Sequence, residues 1–213
     1  LTFTSNEATS NFAQVDITET GCSLGTFGTT SSTIYTDTCT VSADGAANVL
    51  VAADTFTDAV SNANSVSNTY SWTQDDTGPT MTITSATVAS GATTATAAIV
   101  FVYTSNEDTT DFALADITAT GCNNAGWGAT NAKIYGSTCT VSADTAASVL
   151  VAADKFNDAY SNGNSASNTY SWTQDDTGPT MTITSNTIAS GGTTATAAVI
   201  LIYTSNEATS DFA

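Results

Sequence analysis

Strict alternation marks the first clear element. Thr80-Met81-Thr82-Ile83-Thr84 puts Met81 and Ile83 on one face and three threonines on the other, which predicts a half-buried β-strand. Ala89-Ser90-Gly91 turns the chain, and Thr94 to Thr104 reads as a second strand. Here Ala97, Ile99, Phe101 and Tyr103 share one face, while Ala98, Val100 and Val102 share the other. Both faces are apolar, so both are expected to be covered. Ser105 to Phe112 is polar and predicts a turn with one helical turn in it; Ala113 to Gly121 then predicts a third strand. Asn123 to Asn131 is Gly-rich and reads as a loop carrying Trp127. Lys133 to Ser142 and Ser148 to Ala152 read as strands, and Ala153 to Asp158 as a corner anchored by Phe156. Asn168 to Thr173 is the last strand, with Tyr170 and Trp172 on one face. The pattern is that of an all-β sandwich of about seven strands.

The pattern recurs with a fixed period. Thr4-Ser5-Asn6-Glu7 returns at Thr104-Ser105-Asn106-Glu107 and at Thr204-Ser205-Asn206-Glu207, each time 100 residues on. The segments 65–104 and 165–204 differ at only eight positions, and NTYSWTQDDTGPTMTITS is unchanged between them. A strand, an acidic Gly-Pro elbow and another strand make the joint between tandem β domains. A period of this length suits one sandwich per repeat and is too long for a solenoid. The expected organisation is a repeat lacking its first strand and most of its second (1–77), a complete repeat (78–177), and the first two strands of a third (178–213). The sequence then reads as a slice of a longer repeating polypeptide.

Composition narrows the function classes. Net charge is −18, from 20 acids against Lys133 and Lys155, with no histidine. No basic surface exists to neutralise phosphates, so nucleic acid is excluded as a partner. A histidine-based hydrolytic triad is excluded as well, and no cofactor fingerprint is present. No apolar run reaches the length of a membrane-spanning helix, so no membrane insertion is expected within this segment. Threonine makes up about a fifth of the chain. No Asn-x-Ser/Thr sequon occurs, but the outward ladder Thr80, Thr82, Thr84 offers hydroxyls for O-linked sugar, or simply suits a solvent-facing strand.

Four cysteines fall as one pair per repeat, 17 residues apart. The repeat favours the pairings Cys22–Cys39 and Cys122–Cys139, with free buried thiols as the alternative. Zinc is disfavoured, because there is neither CxxC spacing nor histidine. Two disulfides place a chain outside the cytosol.

TSNEDTTDFALADITATG, KIYGSTCTVSAD, VLVAADKFNDAYSNGNSAS and the DDTGPTMTITS joint together resemble the bacterial immunoglobulin-like repeats of large surface proteins and adhesins. That resemblance covers the whole repeat. It implies tandem immunoglobulin-like β-sandwich repeats of 100 residues, serving as spacer, stalk or adhesive module without catalysis. The cysteine pair and the threonine content depart from the usual pattern. The resemblance also implies Ca²⁺ at the joints. Asp75 and Asp76 lie at one joint and Asp175 and Asp176 at the next; Glu107, Asp108 and Asp116 would approach from the following domain, and Asp158, Asn162 and Asn164 from the preceding one. Crowded carboxylates without a basic partner are relieved by a divalent cation, or else are solvated turns.

Two function classes follow. In the first, the chain is a structural subunit of an extracellular stalk or filament, self-associating through Ile99, Val100, Phe101, Val102 and Trp127. In the second, it is an adhesin or carbohydrate-binding module that uses Trp127 and the nearby loops to touch glycans. No cofactor is required in either class, calcium at the joints being the one ion the acidic residues would suit, and an enzyme is expected in neither.

Overall fold

The structure, a computed structural model, describes residues 1–212. Ala213, the last residue of the expected third segment, lies outside the described residues. Two compact units are present: unit 1 holds Leu1–Pro79 and Asn157–Asn164, and unit 2 holds Thr80–Phe156 and Ser165 onward.

Unit 1 contains β1 (Thr2–Thr4), β2 (Ile17–Thr20), β3 (Ser23–Leu24), β4 (Gly28–Ser31), β5 (Ile34–Thr36), β6 (Cys39–Thr40), β7 (Gly45–Val51) and β8 (Tyr70–Gln74). One sheet runs β1-β5-β4, a second runs β2-β7-β8, and β3 pairs with β6. Phe12, Ile17, Tyr35, Val49 and Val51 form its core. Phe12 is the hub, with ring centroids 4.9 Å from Tyr35, 5.0 Å from Phe56 and 5.7 Å from Phe27.

Unit 2 contains β9 (Met81–Thr84), β10 (Thr93–Thr94), β11 (Ala98–Ser105), β12 (Ile117–Thr120), β13 (Asn123–Asn131), β14 (Ile134–Thr140), β15 (Thr145–Val151), β16 (Tyr170–Gln174), β17 (Met181–Thr184) and β18 (Ile202–Ser205). Its sheets run β13-β14-β11-β9 and β10-β16-β15-β12, and β17 pairs with β18. Alternation along β11 sends Ile99, Phe101 and Tyr103 into the space between the sheets, where Trp172, Val149, Val151 and Phe156 meet them. The aromatic hub of unit 1 recurs: Phe112 lies 5.0 Å from Tyr135, 4.8 Å from Phe156 and 5.1 Å from Trp127.

Cys22–Cys39 and Cys122–Cys139 are disulfide-bonded, with Cα separations of 5.5 and 5.6 Å. The chain reaches each first cysteine through a left-handed glycine. Gly121 has φ +73°, and a Cβ there would stand 2.4 Å from the Ala146 carbonyl oxygen, so only glycine fits.

The structure corrects several element assignments. Asn123 to Asn131 is a strand rather than a loop; it pairs with β14 through register shifts between Ala125 and Gly128 and between Ala129 and Asn131. Those bulges break the period-2 pattern that would mark it. The third strand starts at Ile117, because Leu114–Asp116 forms a short 3₁₀ turn first. The second strand is split: Thr93–Thr94 pairs in parallel with Thr173 and Gln174 in the opposite sheet, and Ala98–Ser105 forms the long central strand.

Candidate functional site

The acidic elbow is organised by a residue that the sequence pattern does not single out. In unit 1 the Asp76 backbone N–H donates to Asp44 Oδ1 at 2.8 Å. In unit 2 the Asp176 N–H donates to Asp144 Oδ1 at 2.8 Å, and the Thr177 hydroxyl donates to the other oxygen of the same carboxylate. Hydroxyl donation from Thr77 and Thr177, reinforced by the Asp76 and Asp176 N–H groups, holds the Asp44 and Asp144 carboxyls below their ordinary range. Strand pairing makes the contact possible. Gly45 stands opposite Gln74 and Thr145 opposite Gln174, so the residue before β7 or β15 meets the chain leaving β8 or β16. The sequence offered one sign of this, an aspartate before each of two equivalent strands, 32 residues ahead of the elbow.

The other candidate ligands divide among different roles. Asp75 is half-buried, whereas Asp76, Asp175 and Asp176 are exposed. Asp158 is buried, and its Oδ1 accepts the N–H groups of Tyr160 and Asn162 at 2.8 and 2.9 Å. Its Oδ2 accepts the Asn162 amide at 2.8 Å. Burial pushes the Asp158 carboxyl up, and these donors together outweigh it and bring the group below its ordinary value. Within unit 1 the Asn162 amide also donates to the Asp75 carbonyl at 3.2 Å, and carboxylate oxygens of Asp75 and Asp158 lie within 4.8 Å of each other. Gly78 has no room for a side chain, since a Cβ would stand 1.9 Å from the Gly163 carbonyl oxygen. Asn164 is buried; its counterpart Asn64 uses its amide on Thr55, Phe56 and Ala52, which is the work of a turn-former.

Glu107 and Asp116 lie in unit 2. The Glu107 carboxylate is near the Asn106 amide at 3.3 Å. Asp116 closes the 3₁₀ turn, with its Oδ2 accepting the Ala113 N–H at 2.8 Å, so its carboxylate already serves the backbone. Asp108 stands 3.9 Å from Lys133 in an exposed ion pair of little energetic consequence.

The expected self-association strip separates into two sets. Ile99 and Phe101 are fully buried in the core of unit 2, so a second molecule cannot reach them, and that part of the expectation is corrected. Val100 and Val102 point the other way and are 53% and 40% exposed. The outer face of β11 is therefore partly exposed within the described chain. Trp127 is half-buried and stacks on Tyr135, with centroids 5.4 Å apart and planes at 11°. It belongs to the margin of the aromatic cluster. Thr80, Thr82 and Thr84 are exposed.

One feature of unit 1 has no counterpart in the candidate residues. A cavity of about 700 Å³ opens beside β1, lined among others by Phe3, Phe12, Val51, Phe56 and Asn68.

Comparison with known families adds one match. Residues 1–73 match the family model of the bacterial Ig-like domain. Over those residues the chain is similar to a bacterial Ig-like domain. No curated protein matches it. The sequence of the matched segment recurs 100 residues on in unit 2, where the Cys122–Cys139 disulfide stands at the place of Cys22–Cys39. Ig-like domains of this kind are typically non-enzymatic, and the domain together with two disulfides fits an extracellular or surface protein. Among the described residues no helix is long and apolar enough to cross a membrane.

Proposed function

We propose that this chain is a structural segment of an extracellular stalk or filament, built from tandem disulfide-bonded Ig-like domains that associate with copies of themselves. The observation that carries this reading is the elbow. The same eighteen residues join strand to strand twice, and each elbow is tied back to its own domain by the Asp44 or Asp144 carboxylate. A linker fastened at its start and continued by Gly-Pro has little freedom to swing. The exposed Val100 and Val102 give a second copy an apolar strip to cover. Electron microscopy of the purified chain tests the reading: regular fibres support it, and dispersed single particles at every concentration oppose it. A Val100→Asp variant that assembles like the parent removes the strip from the proposal.

Calcium at the joints is part of the same reading. Asp75 and Asp158 bring like charges within 4.8 Å, and a divalent ion relieves that repulsion. Melting in EDTA against millimolar calcium checks this, and an unchanged Tm ends it. O-linked sugar on Thr80, Thr82 or Thr84 would appear as excess intact mass over the 21.5 kDa chain. The adhesin or glycan-binding reading is weaker, because Trp127, the aromatic it relies on, is committed to Tyr135 and Phe112.

A further inference from the structure

The sheet β13-β14-β11-β9 of unit 2 covers the core with one face and turns the other outward. All four strands fall between residues 81 and 140, well inside the chain. Across the middle of the outer face runs the row Gly128, Gly136, Val102 and Thr84, each opposite the next. Ala125, Thr138 and Val100 make the row on one side of it, and Asn131, Ile134, Thr104 and Thr82 the row on the other. Val100 and Val102, 53% and 40% exposed, stand as an apolar ridge along β11. Beside the ridge the two glycines leave a furrow, a shallow cavity of about 350 Å³ bordered by Ile134 and Thr138.

Neither glycine is required by its own backbone or by its neighbours. Neither has a positive φ. A Cβ at Gly128 would meet nothing within 4 Å, and one at Gly136 only the Phe101 carbonyl oxygen at 3.5 Å, an ordinary contact. Unit 1 carries Thr36 at the place of Gly136 and Thr2 at the place of Val102. Glycine inside a strand weakens it and often marks the close approach of another chain.

The face is also free of charge. None of its four strands contains Asp, Glu or Lys, on a chain of net charge −18. Two copies repel wherever their acidic loops approach, whereas a basic partner would be drawn to those loops and away from this face. The opposite sheet shows solvent Thr118, Thr120, Ser171 and Thr173, hydroxyls that gain nothing by leaving water.

We propose that this face packs on the same face of a second copy about a two-fold axis, with the ridge of each chain in the furrow of the other. Ridge and furrow lie side by side on β11 and β14, so a half-turn about an axis between them sets Val102 of each chain over Gly136 of its mate. The contact is self-complementary and draws its free energy from covering Val100, Val102 and Ile134. Four strands about 4.8 Å apart and about seven residues long present roughly 450 Å², or about 900 Å² for the pair, below the roughly 1,200 Å² of stable interfaces. One pair of faces therefore makes a weak, concentration-dependent dimer, and it joins chains side by side rather than end to end. This rests on the filament reading and supplies its lateral contact.

Sedimentation velocity of the full chain from about 1 μM to 1 mM, at low and high salt, tests the packing. The parent should pass from monomer to dimer within that range. Added salt should tighten the dimer, because it screens the repulsion between two acidic chains. Gly136→Thr copies the residue of unit 1, keeps the fold and its Tm, and moves dimerisation to at least about tenfold higher concentration. Val100→Asp, at an exposed position, holds the chain monomeric. A dimer undiminished by Gly136→Thr, or loosened by salt, overturns this packing and leaves association in the filament reading to another surface. A parent that is monomeric throughout overturns the packing too and gives the face to a different partner. Dimers that Gly136→Thr weakens but that never grow into fibres uphold the packing and sink the filament reading.

Discussion

Replacing Asn168 by alanine isolates the contribution of one side chain to the seating of a strand. Its amide makes two bonds to the Ile83 backbone across 85 residues of sequence, at 2.8 and 3.0 Å. Net contributions near 0.5–1.5 kcal/mol per bond sum to roughly 1–3 kcal/mol. With a urea dependence of about 1–3 kcal/mol/M for a domain of this size, the unfolding midpoint of unit 2 falls by about 1 M. Hydrogen exchange read by mass spectrometry localises the loss, because the Ile83 amide donates directly to Asn168 and should become the least protected of β9. Asn68→Ala is the internal control. It is the same change at the equivalent position of unit 1, where no strand is clamped among the described residues, and in dilute solution its effect stays under about 0.5 kcal/mol. Equal shifts in the two variants, or an unchanged midpoint in Asn168→Ala, would refute the assignment of the clamp.

Other consequences are as direct. Removing the Cys122–Cys139 bond by reduction should cost unit 2 about 3 kcal/mol for its 17-residue separation, measured as a Tm difference with and without reductant; thiol titration in urea before reduction should find none. Phe156→Ala removes a fully buried ring from the Phe112 hub and should cost about 3–5 kcal/mol in urea unfolding. The Asp44, Asp144 and Asp158 carboxyls are lowered in the folded chain, so the stability they add is present above the unfolded carboxylate range near about 4 and is lost as pH falls through their lower folded values. Melting from pH 7 down to 2 should therefore be flat and then steep, and Asp144→Asn should make the acid limb shallower.

The repeat shows how far a linear pattern carries. Alternation in Met81–Thr84, the doubled elbow and the evenly placed cysteines are local facts, and each is visible without coordinates because strands, turns and short cross-links are set by neighbours in sequence. Hidden were the features that depend on residues brought together from afar. Asn123–Asn131 is rich in Gly and Asn and is bulged, so only its pairing with β14 makes it a strand. Asp44 and Asp144 meet the elbow through pairing 32 residues on, and Asn168 meets Ile83 after 85. Nothing in the run Ile99-Val100-Phe101-Val102 tells which pair faces the core, since all four are apolar; the opposing sheet decided that Ile99 and Phe101 go in and Val100 and Val102 stay out. The linear pattern was enough for the all-β class and for favouring one cysteine pairing over the others, because alternation and repeated spacing are properties of neighbouring residues. Tertiary structure alone decided which apolar surfaces are used up and which stay open, because burial belongs to the packed sheets and not to any stretch of chain.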